Sequence, residues 1–139
     1  MKDNIDFVLE RLDPYLEKYF KNGKGSLDED IREIVAVWLL DSEVNNGGFD
    51  QFYWNPAGEF ALDAVEGLES IGAYQKASIL DAANSEFPGG MPSENRIKRQ
   101  EELDVIVNSE SSKLGSLDIE YFKCKEDIVD LLASYFRNE

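Results

Sequence analysis

Glu43-Val44-Asn45-Asn46-Gly47-Gly48-Phe49-Asp50-Gln51-Phe52-Tyr53-Trp54-Asn55-Pro56-Ala57-Gly58 is the stretch on which the fold turns. It gathers turn formers, side-chain amides and closely spaced aromatics between two segments that both read as helices. Glycine tolerates φ > 0 and asparagine bonds its own nearby backbone, so Asn45-Asn46-Gly47-Gly48 is expected to end one helix and reverse the chain. Phe49, Phe52, Tyr53 and Trp54 then need burial, which fixes the reversal against the core. Gln51 and Asn55 are suited to bonding exposed helix-end backbone groups, a structural reason for amides beside glycines.

On the N-terminal side, Ile5, Val8, Leu9, Leu12, Leu16, Tyr19 and Phe20 recur at helical spacing, with Pro14 predicting a kink or two short helices meeting near Asp13, and Asn22-Gly23-Lys24-Gly25 a stop. Ser26-Leu27-Asp28-Glu29 matches a capping box, and the acids Asp28-Glu29-Asp30 complement the dipole of the helix that follows. That helix is expected to reach about Val44. It is apolar on every side from Ile34 to Leu40, which marks it as the central helix.

On the C-terminal side, Glu59 to Ile71 reads as an amphipathic helix. Phe60, Ala61, Ala64, Val65, Leu68 and Ile71 share one face, and Glu59, Asp63, Glu66 and Glu69 the other. The next helix, about Tyr74 to Phe87, turns Ala77, Leu80, Ala83 and Phe87 inward and Lys76 and Asp81 away. Phe87-Pro88-Gly89-Gly90-Met91-Pro92 is a loop, after which Ser93 is placed to cap a polar outer helix carrying Ile97, Leu103, Ile106 and Val107. A serine-rich linker, Ser109 to Ser116, leads to helical spacing from Leu117 to Phe136, with Ile119, Phe122, Ile128, Leu131, Leu132, Tyr135 and Phe136 facing inward. No sustained strand-like alternation occurs. The expectation is a single all-α domain over residues 1–139, a bundle of about six to seven helices around a buried central helix.

With 139 residues, 42% hydrophobic and 12% aromatic, the chain can fill one core. Its charge is the outlier: 29 acidic against 14 basic residues give −15, and histidine is missing. Such a surface repels phosphate backbones and anionic lipid, so neither nucleic acid nor a membrane is expected as a direct partner, and a basic protein is. Cys124 is the only cysteine, so no internal disulfide forms. With no apolar leader after Met1 and no membrane-length apolar run, this fits a cytoplasmic protein.

Enzyme chemistry has little to stand on. Histidine, the commonest general base and metal ligand, is lacking, and Cys124 has no histidine to activate it. Asn45 to Asp50 lacks the alternating acids of a calcium loop. No cofactor or metal is expected, although carboxylates at Glu43 and Asp50 leave a small carboxylate-dependent enzyme as an open alternative. Arg96, Lys98 and Arg99 form a basic cluster beside Glu94, Glu101 and Glu102, expected to make surface ion pairs.

The segment between Arg32 and Lys76 carries one sign of charge: Glu33, Asp41, Glu43, Asp50, Glu59, Asp63, Glu66 and Glu69 occur without a basic residue. Carboxylates three or four residues apart rise by about 4.5 to 6 Å along a helix. Phosphates follow at about 3.4 Å along one DNA strand. One helix therefore cannot match a strand's charge density, and a second acidic helix or a second subunit, as in a homodimer, must contribute. Glu101, Glu102 and Asp104, or Glu126, Asp127 and Asp130, are candidates for that contribution.

In Asn46-Gly47-Gly48-Phe49, Gln51-Phe52 and Asn55-Pro56-Ala57-Gly58 the sequence resembles a bacterial domain family that includes acidic DNA-mimic proteins. The likeness extends through Phe87-Pro88-Gly89-Gly90 and Arg96 to Leu117-Asp118 and Tyr121-Phe122, roughly residues 30–136. It implies an all-helical fold and, as the family's named activity, occupation of a regulator's DNA-binding surface by negative side chains. Glu43, Asn46, Gly47, Gly48, Gln51 and Asn55 read as a structural signature within it. The expected function is an acidic protein-binding module, not an enzyme, that meets a basic partner such as a DNA-binding regulator through Glu59, Asp63, Glu66 and Glu69. An immunity-type or adaptor protein that neutralises a specific toxin is the alternative.

Overall fold

Ile34, Val35, Ala36, Val37 and Leu40 are all buried, so the longest apolar run of the sequence lies at the centre of the molecule. The structure is a computed structural model, and it describes residues 3–138. The described chain folds as seven α-helices without a strand: α1 (Asn4–Asn22), α2 (Glu29–Trp54), α3 (Ala61–Ser70), α4 (Tyr74–Asn84), α5 (Arg96–Val107), α6 (Leu114–Lys123) and α7 (Ile128–Arg137). Short 3₁₀ turns occupy Lys24–Ser26, Pro56–Phe60 and Pro88–Gly90. The protein is all-α, as its periodicity predicts.

α1, α3, α5, α6 and α7 pack on α2, and α4, which lies mainly against α3 and α6, reaches it through the Tyr53 hydroxyl, which donates to Asn84 Oδ1 at 2.6 Å. The closest approach is at Gly67 of α3, where a Cβ would lie 2.2 Å from the Glu33 carbonyl oxygen of α2. The two backbones touch there, which only glycine allows. At the opposite end of the chain α1 pairs with α7. Arg137 Nη2 donates to Asn4 Oδ1 and Asn4 Nδ2 to Asp130 Oδ1, both at 2.8 Å, while Arg11 and Arg137 flank the Phe7 ring.

Several local expectations are corrected. α1 runs through Pro14 as one helix and not as two short ones. The bond that Pro14 cannot donate belongs to a water-facing side of the helix, so the missing donor is cheap. The capping box does not form. Ser26 closes the preceding turn, its hydroxyl donating to the Gly23 carbonyl at 2.7 Å, and Asp28 is the N-cap position of α2. Ser93 likewise yields to Asn95, whose Oδ1 accepts the Lys98 amide at 2.9 Å.

Lys76, expected outward, is buried with its ammonium 4.3 Å from the Tyr121 ring centroid. Tyr121 also donates from its hydroxyl to Asp41 Oδ1 at 2.6 Å; burial raises the pKa of that carboxyl, and the Tyr121 hydrogen bond and the Lys76 charge oppose the rise. Ile97 and Val107 are exposed on α5, where Arg99, Leu103 and Ile106 form the buried face instead. Ile119 and Phe122, each 55% exposed, also point outward. An inward phase for them holds only if residues 117–136 form one helix. The chain in fact breaks after Lys123, and α6 buries Leu114, Leu117 and Tyr121 on its own register.

Candidate functional site

Two glycines split α2 into a long leg, residues 29–46, and a short leg, residues 49–54. Gly47 has φ −156° and ψ 17°, and Gly48 has φ 78° and ψ −175°, a left-handed φ that suits glycine alone. Twelve residues of straight helix would span about 18 Å. Instead Asn55 Nδ2 donates to Glu43 Oε2 at 2.7 Å, so the short leg folds back along the long one, as the reversal requires. Phe49, Phe52 and Tyr53 are buried by that fold-back, whereas Trp54, expected inside, is 44% exposed.

Each end of the short leg is closed by a distant side chain. At its start the Phe49 amide donates to Asp118 Oδ1 at 2.8 Å, and a Cβ on Gly48 would lie 2.7 Å from Asp118 Oδ2. Burial raises the Asp118 pKa and Asp50 adds to the rise, while the Phe49 hydrogen bond opposes both. At its end Arg99 donates from Nε to the Tyr53 carbonyl at 2.7 Å and from Nη2 to the Asn55 carbonyl at 2.8 Å. Arg96 Nε and Gln100 Nε2 both take the Trp54 carbonyl, at 3.0 and 2.9 Å.

Arg99 is fully buried, and a Cβ on Gly58 would lie 2.4 Å from its Nε, which explains the glycine that ends the signature. Where surface ion pairs were expected, Arg99 instead donates to the backbone carbonyls of Tyr53, Ser93, Glu94 and Asn55. Helix-end groups are satisfied as the sequence suggests, but by other residues. Gln51 accepts from Asn46 Nδ2 at 3.3 Å, and Asn55 bonds Glu43 rather than a backbone group.

The acidic residues divide into those anchored by a bond within the fold and those that stand free of one. Glu59 accepts the Tyr19 hydroxyl at 2.7 Å, and Asp63 is paired with Lys24 at 2.7 Å and Arg32 at 3.5 Å. Two of the four residues expected on the outer face of α3 are thus anchored within the fold, Glu59 through one oxygen only, because α3 starts two residues later than its sequence pattern suggests and Lys24 and Arg32 lie against it. Asp41 is held by Tyr121 and Glu43 by Asn55. Farther along, Glu126 accepts the Gln75 and Lys76 amides at the start of α4, Asp127 caps α7, and Glu102 accepts the Ser93 amide.

Glu66 and Glu69 are exposed. They share a hollow with Asp81 of α4, while the α2–α3 contact at Gly67 brings Glu66 beside the start of α2. There Glu33 has its pKa raised by burial first, then by the negative charges of Glu29, Glu66, Asp30 and Asp63. Mutual repulsion of this kind needs carboxylates close together with too few cations between them. A band of acids therefore runs from Glu29, Asp30 and Glu33 on α2 to Glu66 and Glu69 on α3 and on to Asp81. The second acidic row comes from α2, and its first members are acids whose evident task was to complement the helix dipole.

Among the described residues no group of three or more acids and cysteines is arranged to hold a metal ion. Cys124 is partly buried, with its thiol 3.4 Å from Gln75 Oε1 and 3.5 Å from Glu126 Oε1. Glu43 opens, with Glu59, on a groove beside α1 whose lining does not include Asp50 or Gln51.

The fold and this site define a class: an all-helical acidic domain built around a central helix that two glycines break and a buried arginine closes. The chain belongs to the DMP19-like protein family, whose family model matches residues 25–139. No curated protein and no solved structure matches it. The matched region begins just after α1, so the helix that pairs with α7 lies outside it. No helix among the described residues is long and apolar enough to cross a membrane.

Proposed function

We propose that this protein is an acidic protein-binding module that occupies the nucleic-acid-binding surface of a basic regulator. The observation that carries the reading is the band from Glu29, Asp30 and Glu33 to Glu66, Glu69 and Asp81, in which Glu33 is surrounded by like charge on two helices. Two rows answer the charge-density requirement that a single helix fails. Arg32, the one cation on that part of α2, is turned to Asp63 and leaves the band negative. Membership of a family that includes acidic DNA mimics supports the same reading, and no residue of the band needs catalytic chemistry.

A complex of this type forms by electrostatic attraction, so its affinity falls as salt rises, and duplex DNA competes for the same partner surface. The test is affinity capture from the host's extract with the wild-type chain and with Glu29→Gln, Asp30→Asn, Glu66→Gln and Glu69→Gln combined. The expected result is a basic DNA-binding protein retained by wild type, released by added duplex or by moderate salt, and lost from the variant. Retention that resists salt and duplex and survives the substitutions overturns the mimic and moves the protein to the adaptor or immunity class.

A further inference from the structure

We infer that the groove between the end of α1 and the folded-back signature is a seat for an arginine side chain presented by a partner protein. Tyr19, Phe20, Leu39, Glu43, Pro56 and Glu59 are among its lining residues, and its volume is about 490 Å³, within the roughly 300–1,000 Å³ of pockets that enclose ligand groups. The inference rests on the reading of the partner as basic, but it uses a different part of the surface from the acidic band.

The groove is anionic and apolar at once. Glu43 and Glu59 each use Oε2 in an internal hydrogen bond, to Asn55 and from Tyr19 respectively, which fixes the carboxylates without consuming Oε1. No lysine or arginine is among the lining residues. Lys24, the nearest flexible cation, donates to the Glu59 carbonyl and pairs with Asp63 and Glu94. Arg99 acts on Glu59 electrostatically from the core side, yet its own donors go to backbone carbonyls. Charge complementarity therefore asks for a cation from outside.

The walls say which cation. Phe20 is 71% exposed, its ring 5.3 Å from that of Tyr19, and an aromatic face left in water beside two carboxylates suits a flat, weakly hydrated ion. Guanidinium stacks on such a ring and directs its donors sideways to carboxylate oxygens, while Leu39 and Pro56 can cover its methylene stem. Ammonium is compact and strongly hydrated, and gains less from the ring. The signature thus has a second consequence beyond reversing the chain: the fold-back that joins Asn55 to Glu43 also builds one wall of this groove.

The test is a titration of the full ¹⁵N-labelled chain with the peptide acetyl-Gly-Arg-Gly-amide, and in parallel with the same peptide carrying citrulline, the neutral isostere of arginine. The expected result is saturable amide shifts clustered at residues 19–23, 43, 55 and 57–59 for the arginine peptide and none for citrulline. Phe20→Ala, an exposed position whose loss leaves the core intact, weakens the peptide by about threefold. Glu43→Gln, which keeps an acceptor for Asn55, weakens it by a similar factor. Glu66→Gln with Glu69→Gln leaves this binding unchanged, which separates the groove from the band. Equal shifts with citrulline, shifts confined to the band, or indifference to Phe20→Ala and Glu43→Gln each overturn the groove, and none of them touches the proposal for the band.

Discussion

Arg99 donates to the carbonyls of Tyr53, Asn55, Ser93 and Glu94, so its guanidinium stands where water would stand at an exposed helix end. Burial lowers its pKa, with Arg96 adding to the fall, and Glu59, Tyr19 and Glu102 oppose both. Arg99→Met keeps the stem but strands those acceptors in a buried place. The expected loss is about 3 kcal/mol or more, read from the urea midpoint at unchanged slope. Arg99→Lys recovers little of it, because one ammonium cannot reach the fork of carbonyls that a planar guanidinium spans. A loss under about 1 kcal/mol would show that water replaces the guanidinium. Nothing in Arg96-Ile97-Lys98-Arg99 singles out the last residue, since a helix of mostly polar residues gives a weak rotational phase. The signal that could have found it is indirect: Gly58 is a glycine with an ordinary role to fill only if something large lies against it.

At the scale of elements, the sequence was most legible where burial is one-sided and least legible where a distant side chain decides. The central helix, the glycine break and the inward face of α3 follow from the spacing of apolar residues and the freedom of Gly48 at φ 78°. Caps are harder to read, because Ser26 and Ser93 are good local hydrogen-bonding residues and the partners that compete with them are fixed only by the tertiary fold. The start of the short leg illustrates the point, since Asp118 lies 69 residues from the Phe49 amide it accepts. Asp118→Ala removes that cap, with an expected cost of about 1 kcal/mol. Because the leg is short and has only this one side-chain acceptor at its start, the effect should be local: amide exchange accelerates at residues 49–54 more than in the long leg of α2. Uniform acceleration along both legs would instead mean that the break and the long leg unfold as one unit.

For the whole molecule, the direction of the carboxyl shifts gives a pH dependence opposite to the common one. Burial is the largest cause in each of Glu33, Asp41, Asp50 and Asp118, and in each it raises the pKa above the ordinary 4.5 of Glu or 3.8 of Asp. Folded chains then hold protons that unfolded chains have released, so stability falls as pH rises through the interval above those ordinary values, and returns as pH is lowered into it. At constant ionic strength Tm is expected to be higher near pH 5 than near pH 7.5, followed by calorimetry. A steady fall in Tm from 7.5 to 5 would mean that ion pairs such as Lys24–Asp63 outweigh the buried acids. Salt separates the fold from its task. With a net charge of −15 the native state repels itself, so raising salt to about 0.5 M at neutral pH screens that repulsion and lifts Tm. The same salt weakens any complex made through the acidic band, because there the screened interaction is attractive. Stability and affinity therefore move in opposite directions along one titration, and a partner whose binding strengthened with salt would be held by apolar contact and not by the band.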